Sequence, residues 1–256
     1  MSATFPTPAT PPPPPELSVV IPAYNEARRL PRTLAALREF AARQPCPVEL
    51  LVVDDGSTDG TAGVAAARGA RVLRHAPNRG KGYALRRGIA AATGRYVLLC
   101  DADLSTPLTE LARLRAALAA GADIAIASRD APGAALDPPQ PALRRLLAQG
   151  FRAVRRRLLL PAIRDTQCGF KLLPTALAQA LAGEVTEDGW LWDVELLARA
   201  ERRGLRIAEV AVRWRNDRDS RVRVLPLLLK AVPRLLAIRR RVRAAPPLSP
   251  PSADRG

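Results

Sequence analysis

A chain of 256 residues, 48% apolar and 25% charged, carries enough apolar side chains for one large α/β domain or two small ones. Its formal charge of +16 comes chiefly from arginines crowded into 144–157, 199–223 and 234–243, which favours anionic partners such as nucleotides, phosphorylated acceptors, anionic lipid or nucleic acid. One histidine, His75, and three scattered cysteines, Cys46, Cys100 and Cys168, exclude a zinc-finger spacing and a disulfide framework and fit a reducing cytosol.

Residues 1–16 are rich in proline and small side chains and read as an extended, disordered tail, without the basic start and apolar run of a signal peptide. Leu17–Ile21 is an apolar run of strand length, followed by a helical pattern at 26–43. The alternation continues with strands at Val48–Val53, Val72–Arg74, Tyr96–Cys100 and Ile124–Ser128, and helices at 58–68, 80–93 and 107–120. Short apolar runs separated by helices predict a mainly parallel sheet buried on both faces, a Rossmann-like α/β fold. The proline-rich stretch 131–141 predicts a mobile loop. No run reaches the roughly 18 apolar residues that span a bilayer. Over 222–243 the apolar residues at 225, 228, 229, 232, 235 and 236 keep helical spacing while most basic ones lie elsewhere on the wheel. Pro226 suits a first turn, and Pro233 is expected to kink or divide that helix. The organisation expected is therefore a catalytic domain at 17–221, a basic amphipathic helical segment at 222–243, and a second disordered tail at 244–256.

In an open parallel sheet, ligands bind beyond the carboxyl ends of the strands. The polar segments fall there: Pro22-Ala23-Tyr24-Asn25-Glu26, Asp54-Asp55-Gly56-Ser57, Asn78-Arg79-Gly80-Lys81-Gly82 and Asp101-Ala102-Asp103. Two carboxylates two residues apart at a strand end can meet one hard cation that bridges a diphosphate, or Asp103 can simply cap a turn. Asp54 and Asp55 can accept from a base and ribose, with Ser57 or Thr58 capping the next helix. Arg79, Lys81 and two glycines at a helix start suit phosphate, although the spacing matches neither a dinucleotide fingerprint nor a Walker loop. Farther on, Asp165–Lys171 is a polar loop and Asp188–Leu197 opens a helix. Trp190 and Trp192 are core packing or, for Trp190, an acceptor platform. Asp193 and Glu195 lie on different helix faces, so at most one points into a cleft.

Together these stretches, from about Leu17 to Arg223, resemble the family 2 glycosyltransferases, which have a GT-A fold. The Asp101–Pro107, Cys168–Lys171 and Asp188–Leu197 segments resemble the dolichyl-phosphate β-glucosyltransferase branch, with the polyprenyl-phosphate mannosyltransferases as more distant relatives. The resemblance implies a nucleoside diphosphate sugar as donor, UDP-glucose in that branch, and Mg2+ or Mn2+ as cofactor. It implies Glu26 and Asp55 at the nucleoside with Asp54 beside them, and Pro22, Tyr24, Arg79, Lys81, Asp101, Ala102 and Asp103 around the nucleotide sugar. It places Asp103 on the metal with Asp101 nearby, and Asp165 close to the reaction centre. A lipid-phosphate acceptor would be held by Arg129, Lys171 and the 144–157 cluster; a hydroxyl acceptor would need Asp193 or Asp165 as base. The branch carries a transmembrane anchor, for which this sequence offers no expected span, and the basic amphipathic stretch 222–243 predicts instead a cytoplasmic enzyme attached peripherally to an anionic membrane face. A nucleotidyltransferase would show a glycine-rich loop near the first strand, and a nucleic-acid binder would show more aromatic platforms; neither is present in the sequence.

Overall fold

The computed structural model describes residues 14–137, 142–215 and 224–244. The first tail up to residue 13, the end of the proline-rich stretch, residues 216–223 and the second tail from 245 lie outside the described residues.

Nine strands are described: β1 Leu17–Ala23, β2 Val48–Asp55, β3 Arg71–His75, β4 Tyr96–Leu99, β5 Ile124–Ser128, β6 Ala135–Asp137, β7 Lys171–Pro174, β8 Ile207–Ala211 and β9 Arg213–Arg215. Eight helices are described with them: α1 Leu30–Ala42, α2 Thr61–Ala67, α3 Lys81–Ala91, α4 Leu111–Ala119, α5 Ala142–Leu158, α6 Thr175–Glu184, α7 Trp192–Arg202 and α8 Val224–Ala244. Seven strands form one sheet in the order β3-β2-β1-β4-β7-β5-β8. All its pairings are parallel except those of β7, which runs antiparallel between β4 and β5. The order reverses at β1, so a crevice opens beyond the carboxyl ends of β1 and β4, the position that binds ligands in open α/β sheets.

Alternation along β1 explains why the sheet is covered twice. Leu17, Val19 and Ile21 join the layer of α1, α2 and α4, whereas Val20 joins the layer of α3, α6, α7 and α8. Leu30, Leu34 and Leu37 give α1 its buried stripe at helical spacing. Pro22 sits within β1 without cost to the ladder. Val20 accepts from Cys100 N on the β4 side, so Pro22, two residues on, faces the same side beyond the end of β4.

Four expectations change. The 131–141 stretch is not wholly loop, because Ala135–Asp137 pairs in parallel with β9 as a two-stranded sheet. Helix α2 starts at Thr61, and Asp59 rather than Ser57 or Thr58 accepts the Thr61 N–H at 2.9 Å. Helix α8 runs through Pro233 as one span, so of the two outcomes expected there, a kink or a division, the division does not occur. It is also not a segment apart from the domain. Ala231, Leu235, Ile238 and Val242 are buried, and the last three complete the core under α7, while Arg234 and Arg241 pair with Glu187 and Glu195. Among the described residues no helix is long and apolar enough to cross a membrane.

Helix α3 lies so close to the sheet that a Cβ at Gly88 would overlap the methyl groups of Val20 and Val53. An alanine inside a helix ordinarily gains up to about 1 kcal/mol over glycine, but overpacking costs about 1–3 kcal/mol. Gly88→Ala should therefore destabilise the protein by about 1–2 kcal/mol, read as a lower urea midpoint at unchanged slope. A rise in the midpoint would show that α3 does not press on β1 and β2 at this point.

Candidate functional site at the carboxyl ends of the strands

The loops after β1 and β2 are stitched to each other. Asn25, at φ +54°, donates its N–H to Ser57 Oγ (2.9 Å), and its side-chain oxygen accepts from Thr58 N (2.9 Å). Glu26 N donates to Thr61 Oγ1 at 2.9 Å, and the Glu26 carboxylate takes Arg29 Nη1 at 3.2 Å. Tyr24 stands exposed beside them. Asp54 accepts Ser57 N through Oδ1 (2.9 Å), and its buried Oδ2 lies 3.3 Å from Arg74 Nε. Asp55 accepts from four donors: His75 Nε2 (2.7 Å) and Arg79 N (2.8 Å) on Oδ1, Asn78 Nδ2 (2.9 Å) and Gly80 N (2.8 Å) on Oδ2. Those four fill the lone pairs of a carboxylate. In this arrangement Asp55 shapes the 78–80 loop, and the nucleoside acceptor expected of it is already engaged.

The glycines of the 78–82 segment serve packing, not only phosphate approach. Gly80 is at φ +108°, and a Cβ there would meet Asp188 O at 2.6 Å; one at Gly82 would meet Glu187 O at 2.5 Å. The 187–190 loop thus seats on the first turn of α3, held by Tyr83 N donating to Asp188 O at 3.1 Å. Arg79 lies 3.7 Å over the Tyr83 ring and Arg86 pairs with Asp188. Lys81 reaches across the crevice to Asp101 Oδ1 at 2.7 Å, and its ammonium lies 5.3 Å from the Trp190 ring. Burial alone would push Lys81 down, but the Asp101 and Asp193 carboxylates outweigh it and hold it above the usual lysine value. Burial likewise opposes the Asp101 charge, yet Lys81, then Lys171 and Arg129, draw its pKa below the ordinary value. Trp190 is 41% exposed, as an acceptor platform requires, whereas Trp192 is core.

The Asp-Ala-Asp turn closes on itself. Ala102 is buried with its carbonyl accepting Thr33 Oγ1 (2.5 Å), Asp103 Oδ1 accepts Ser105 N (2.9 Å), and Leu104 takes φ +49°. A left-handed leucine is rare outside strained functional turns. Asp103 is exposed and Asp101 38% exposed at its side chain. Cys100, Ser105, Thr106, Gly169, Phe170 and Trp214 line the cleft around these two carboxylates.

The two carboxylates expected near the reaction centre are both buried and ion-paired. Asp165 is buried, takes Arg129 through Nε (2.7 Å), Nη2 (2.9 Å) and backbone N (3.0 Å), and accepts Gln167 N (3.0 Å). Burial would raise its pKa, but the Arg129 charge and hydrogen bonds prevail and hold it far below the usual carboxylate range. Asp193 is buried with Oδ1 2.5 Å from Lys171 Nζ. In this arrangement each carboxylate is held by a cationic partner. Lys171 is only 1% exposed, with Cys168 O as its other acceptor, so in this arrangement both of its contacts are internal. Glu195 is buried as well, on Arg199 and Arg241. Trp214, which sequence reasoning passed over, sits 5.4 Å beneath Arg129. Its only sequence signal was an isolated tryptophan between arginines.

Residues 18–181 match the sequence profile described as Glycosyl transferase family 2. The chain belongs to this family. A dolichyl-phosphate beta-glucosyltransferase of Drosophila melanogaster is 39% identical over 225 residues, spanning 81% of this chain and 69% of the relative. Its Homo sapiens namesake is 36% identical with the same coverage. Glycosyltransferase AglD of Haloferax volcanii is 36% identical over 81% of this chain but only 34% of its own length. Among solved structures, glucosyl-3-phosphoglycerate synthase of Mycobacterium tuberculosis, in complex with Mn2+, UDP-glucose and phosphoglyceric acid, superposes with a TM-score of 0.67 at 26% identity, covering 88% of this chain and 79% of that one. Family membership sets aside both the nucleotidyltransferase and the nucleic-acid binder.

The glycosyltransferase has a donor set that fits a hard divalent cation. Asp101 and Asp103 supply carboxylate oxygens, and among the described residues no group of three or more His, Cys, Asp or Glu side chains gathers. Such a pair suits an ion that keeps water and substrate phosphate oxygens in its shell. Asp103→Asn should abolish transfer while leaving the free energy of unfolding within about 0.5 kcal/mol of wild type, as expected of an exposed turn residue. Chelation with EDTA should silence the wild type until Mg2+ or Mn2+ is restored. Undiminished turnover in EDTA would refute the cation.

Proposed function

We propose that this enzyme is an inverting hexosyltransferase that moves glucose from UDP-glucose to a polyprenyl- or dolichyl-phosphate-type acceptor, with Mg2+ or Mn2+ held by Asp103 and Asp101. The observation that carries the lipid-phosphate reading is the engagement of both candidate bases, Asp165 by Arg129 and Asp193 by Lys171. A phosphate oxygen is already anionic and can form the new bond to C1 as UDP departs with its electron pair, so no base is needed. The bound cation would supply charge neutralisation at the departing diphosphate. Arg79, exposed on Tyr83, and Lys81, held charged, are the side chains that would meet the same oxygens. Glu26 and Asp54 are the acceptors nearest the nucleoside reading, with Pro22, Tyr24 and Ala102 shaping the same edge. Arg129, 5.4 Å from the Trp214 ring, would meet the acceptor phosphate, and the exposed Trp190 would cover the opposite wall.

A peripheral site at the membrane's cytoplasmic face is supported by α5 and α8, which pack together and contain no Asp or Glu. Arg156, Arg157 and Arg240 are exposed on them, as are the apolar Val154, Val232 and Leu236. Guanidinium groups interleaved with apolar side chains suit an anionic bilayer surface. A second reading, transfer to a small phosphorylated hydroxy acid, is favoured by the fold shared with the synthase solved with phosphoglyceric acid.

Calorimetric titration should show UDP binding more tightly than GDP, and radiolabelled glucose should pass to polyprenyl phosphate but not to 3-phosphoglycerate. Tighter GDP binding would overturn the donor, and transfer only to 3-phosphoglycerate would overturn the acceptor. Deleting α8 would strip the core, so membrane attachment is better tested with Arg156→Glu, Arg157→Glu and Arg240→Glu together. Each basic residue adds about 1 kcal/mol near an anionic surface, so the triple variant should lose about a hundred-fold or more in liposome partitioning at low salt. Failure of the intact protein to float with anionic liposomes would remove this docking surface.

A further inference from the structure

Arg155 is fully buried on the inward side of α5, and among the described residues no carboxylate is hydrogen-bonded to it. Its guanidinium instead donates to three main-chain carbonyls, Leu160 O (2.7 Å), Ile163 O (2.6 Å) and Arg164 O (2.7 Å). Burial pushes its pKa down to about 10, against the pull of Asp165 and Glu209. Sinking a charge this way costs several kcal/mol, and an apolar side chain would fill the position with less penalty. The arginine therefore has a task beyond packing.

That task is visible in the peptide planes it holds. The carbonyl of Ile163 and the N–H of Arg164 belong to one plane, and the carbonyl of Arg164 and the N–H of Asp165 to the next. Arg155 takes both carbonyls, and on the other side Glu209 of β8 accepts both N–H groups, at 2.8 and 2.9 Å. Each plane is gripped at both ends and cannot rotate. The residue that follows is Asp165, which fixes Arg129 over Trp214 beside the Asp-Ala-Asp cleft.

We propose that Arg155 is a positioning residue for the acceptor side of the site: with Glu209 it locks two consecutive peptide planes that aim Asp165, and through it Arg129, at the acceptor phosphate. The inference rests on the reading that Arg129 meets the acceptor. It is tested with Arg155→Met, which keeps bulk without donors, Arg155→Lys, and Glu209→Gln, in which one of two acceptor oxygens is lost from a partly exposed side chain. Wild type and variants are assayed with UDP-glucose against polyprenyl phosphate and 3-phosphoglycerate, with UDP affinity measured by calorimetry. Misaiming a group by about 1 Å costs on the order of a hundred-fold. Arg155→Met should accordingly lower kcat/KM for the acceptor about ten- to a hundred-fold with UDP affinity and the KM for UDP-glucose unchanged. Arg155→Lys should recover part of the loss, and Glu209→Gln should shift the acceptor parameters the same way. If Arg155→Met does not fold, Glu209→Gln decides by the same split. Variants that lose thermal stability but keep wild-type acceptor kinetics, or that lose UDP affinity in step with acceptor turnover, overturn the positioning role alone. A wild type inert toward both acceptors overturns the proposed function and this role with it.

Discussion

The Lys81–Asp101 ion pair spans the crevice at which the strand order reverses, joining the first turn of α3 to the end of β4. Much of the site is arranged to make that pair tolerable. Two charges taken from water need close partners and further hydrogen bonds to offset their lost hydration. Here Asp193 adds a second negative charge near Lys81, and Lys171 closes the row on Asp193, so that signs alternate from the exposed turn into the interior. Removing Lys171 would leave Asp193 buried without its ion-pair partner. The row is therefore preorganised: its dipoles need not turn when charge develops on a departing diphosphate.

A second consequence of the buried sheet is that polar strand ends crowd together, and the protein meets this by lacing loops to loops. Asp55 consumes its whole acceptor capacity on residues 75–80, while Asn25 joins the first loop to the second. Backbone at Gly80 and Gly82 comes within contact of the 187–188 carbonyls, which brings Trp190 to the mouth of the site. The architecture is one of short loops that hold each other, with few side chains left over.

Much of this was legible in the chain because its signals are local. Leu17–Ile21 and its four counterparts are apolar runs bounded by polar turns, and each of these five strands, β1 to β5, lies within two residues of its expected bounds, whereas β6 to β9 have no such signal. The carboxylates and cations after those runs could be assigned to one edge by the topology of parallel sheets alone. What failed was nonlocal. β7 is four residues long and begins with a lysine, so only its insertion between β4 and β5 defines it. Lys171 and Asp193 read as surface chemistry because the partner of each lies on another element, 22 residues away. The stripe of α8 was misphased in part, since Val232 and Leu236 turned outward while Ile238 and Val242 took the core. Arg155 was counted with a basic cluster because burial of a lone arginine leaves no trace in composition.

Gly169 has no side chain, and a Cβ on it would overlap the carboxylate of Asp101. Four residues upstream, the same loop carries Asp165 and so governs Arg129. The bare backbone at 169 sets how near the loop can stand to the Asp101 carboxylate, while Asp165, gripped separately through Arg155 and Glu209, sets the aim of Arg129. One short segment thus offers two independent points of adjustment, one at each end. Either can be retuned by a single substitution, without any hinge or domain motion.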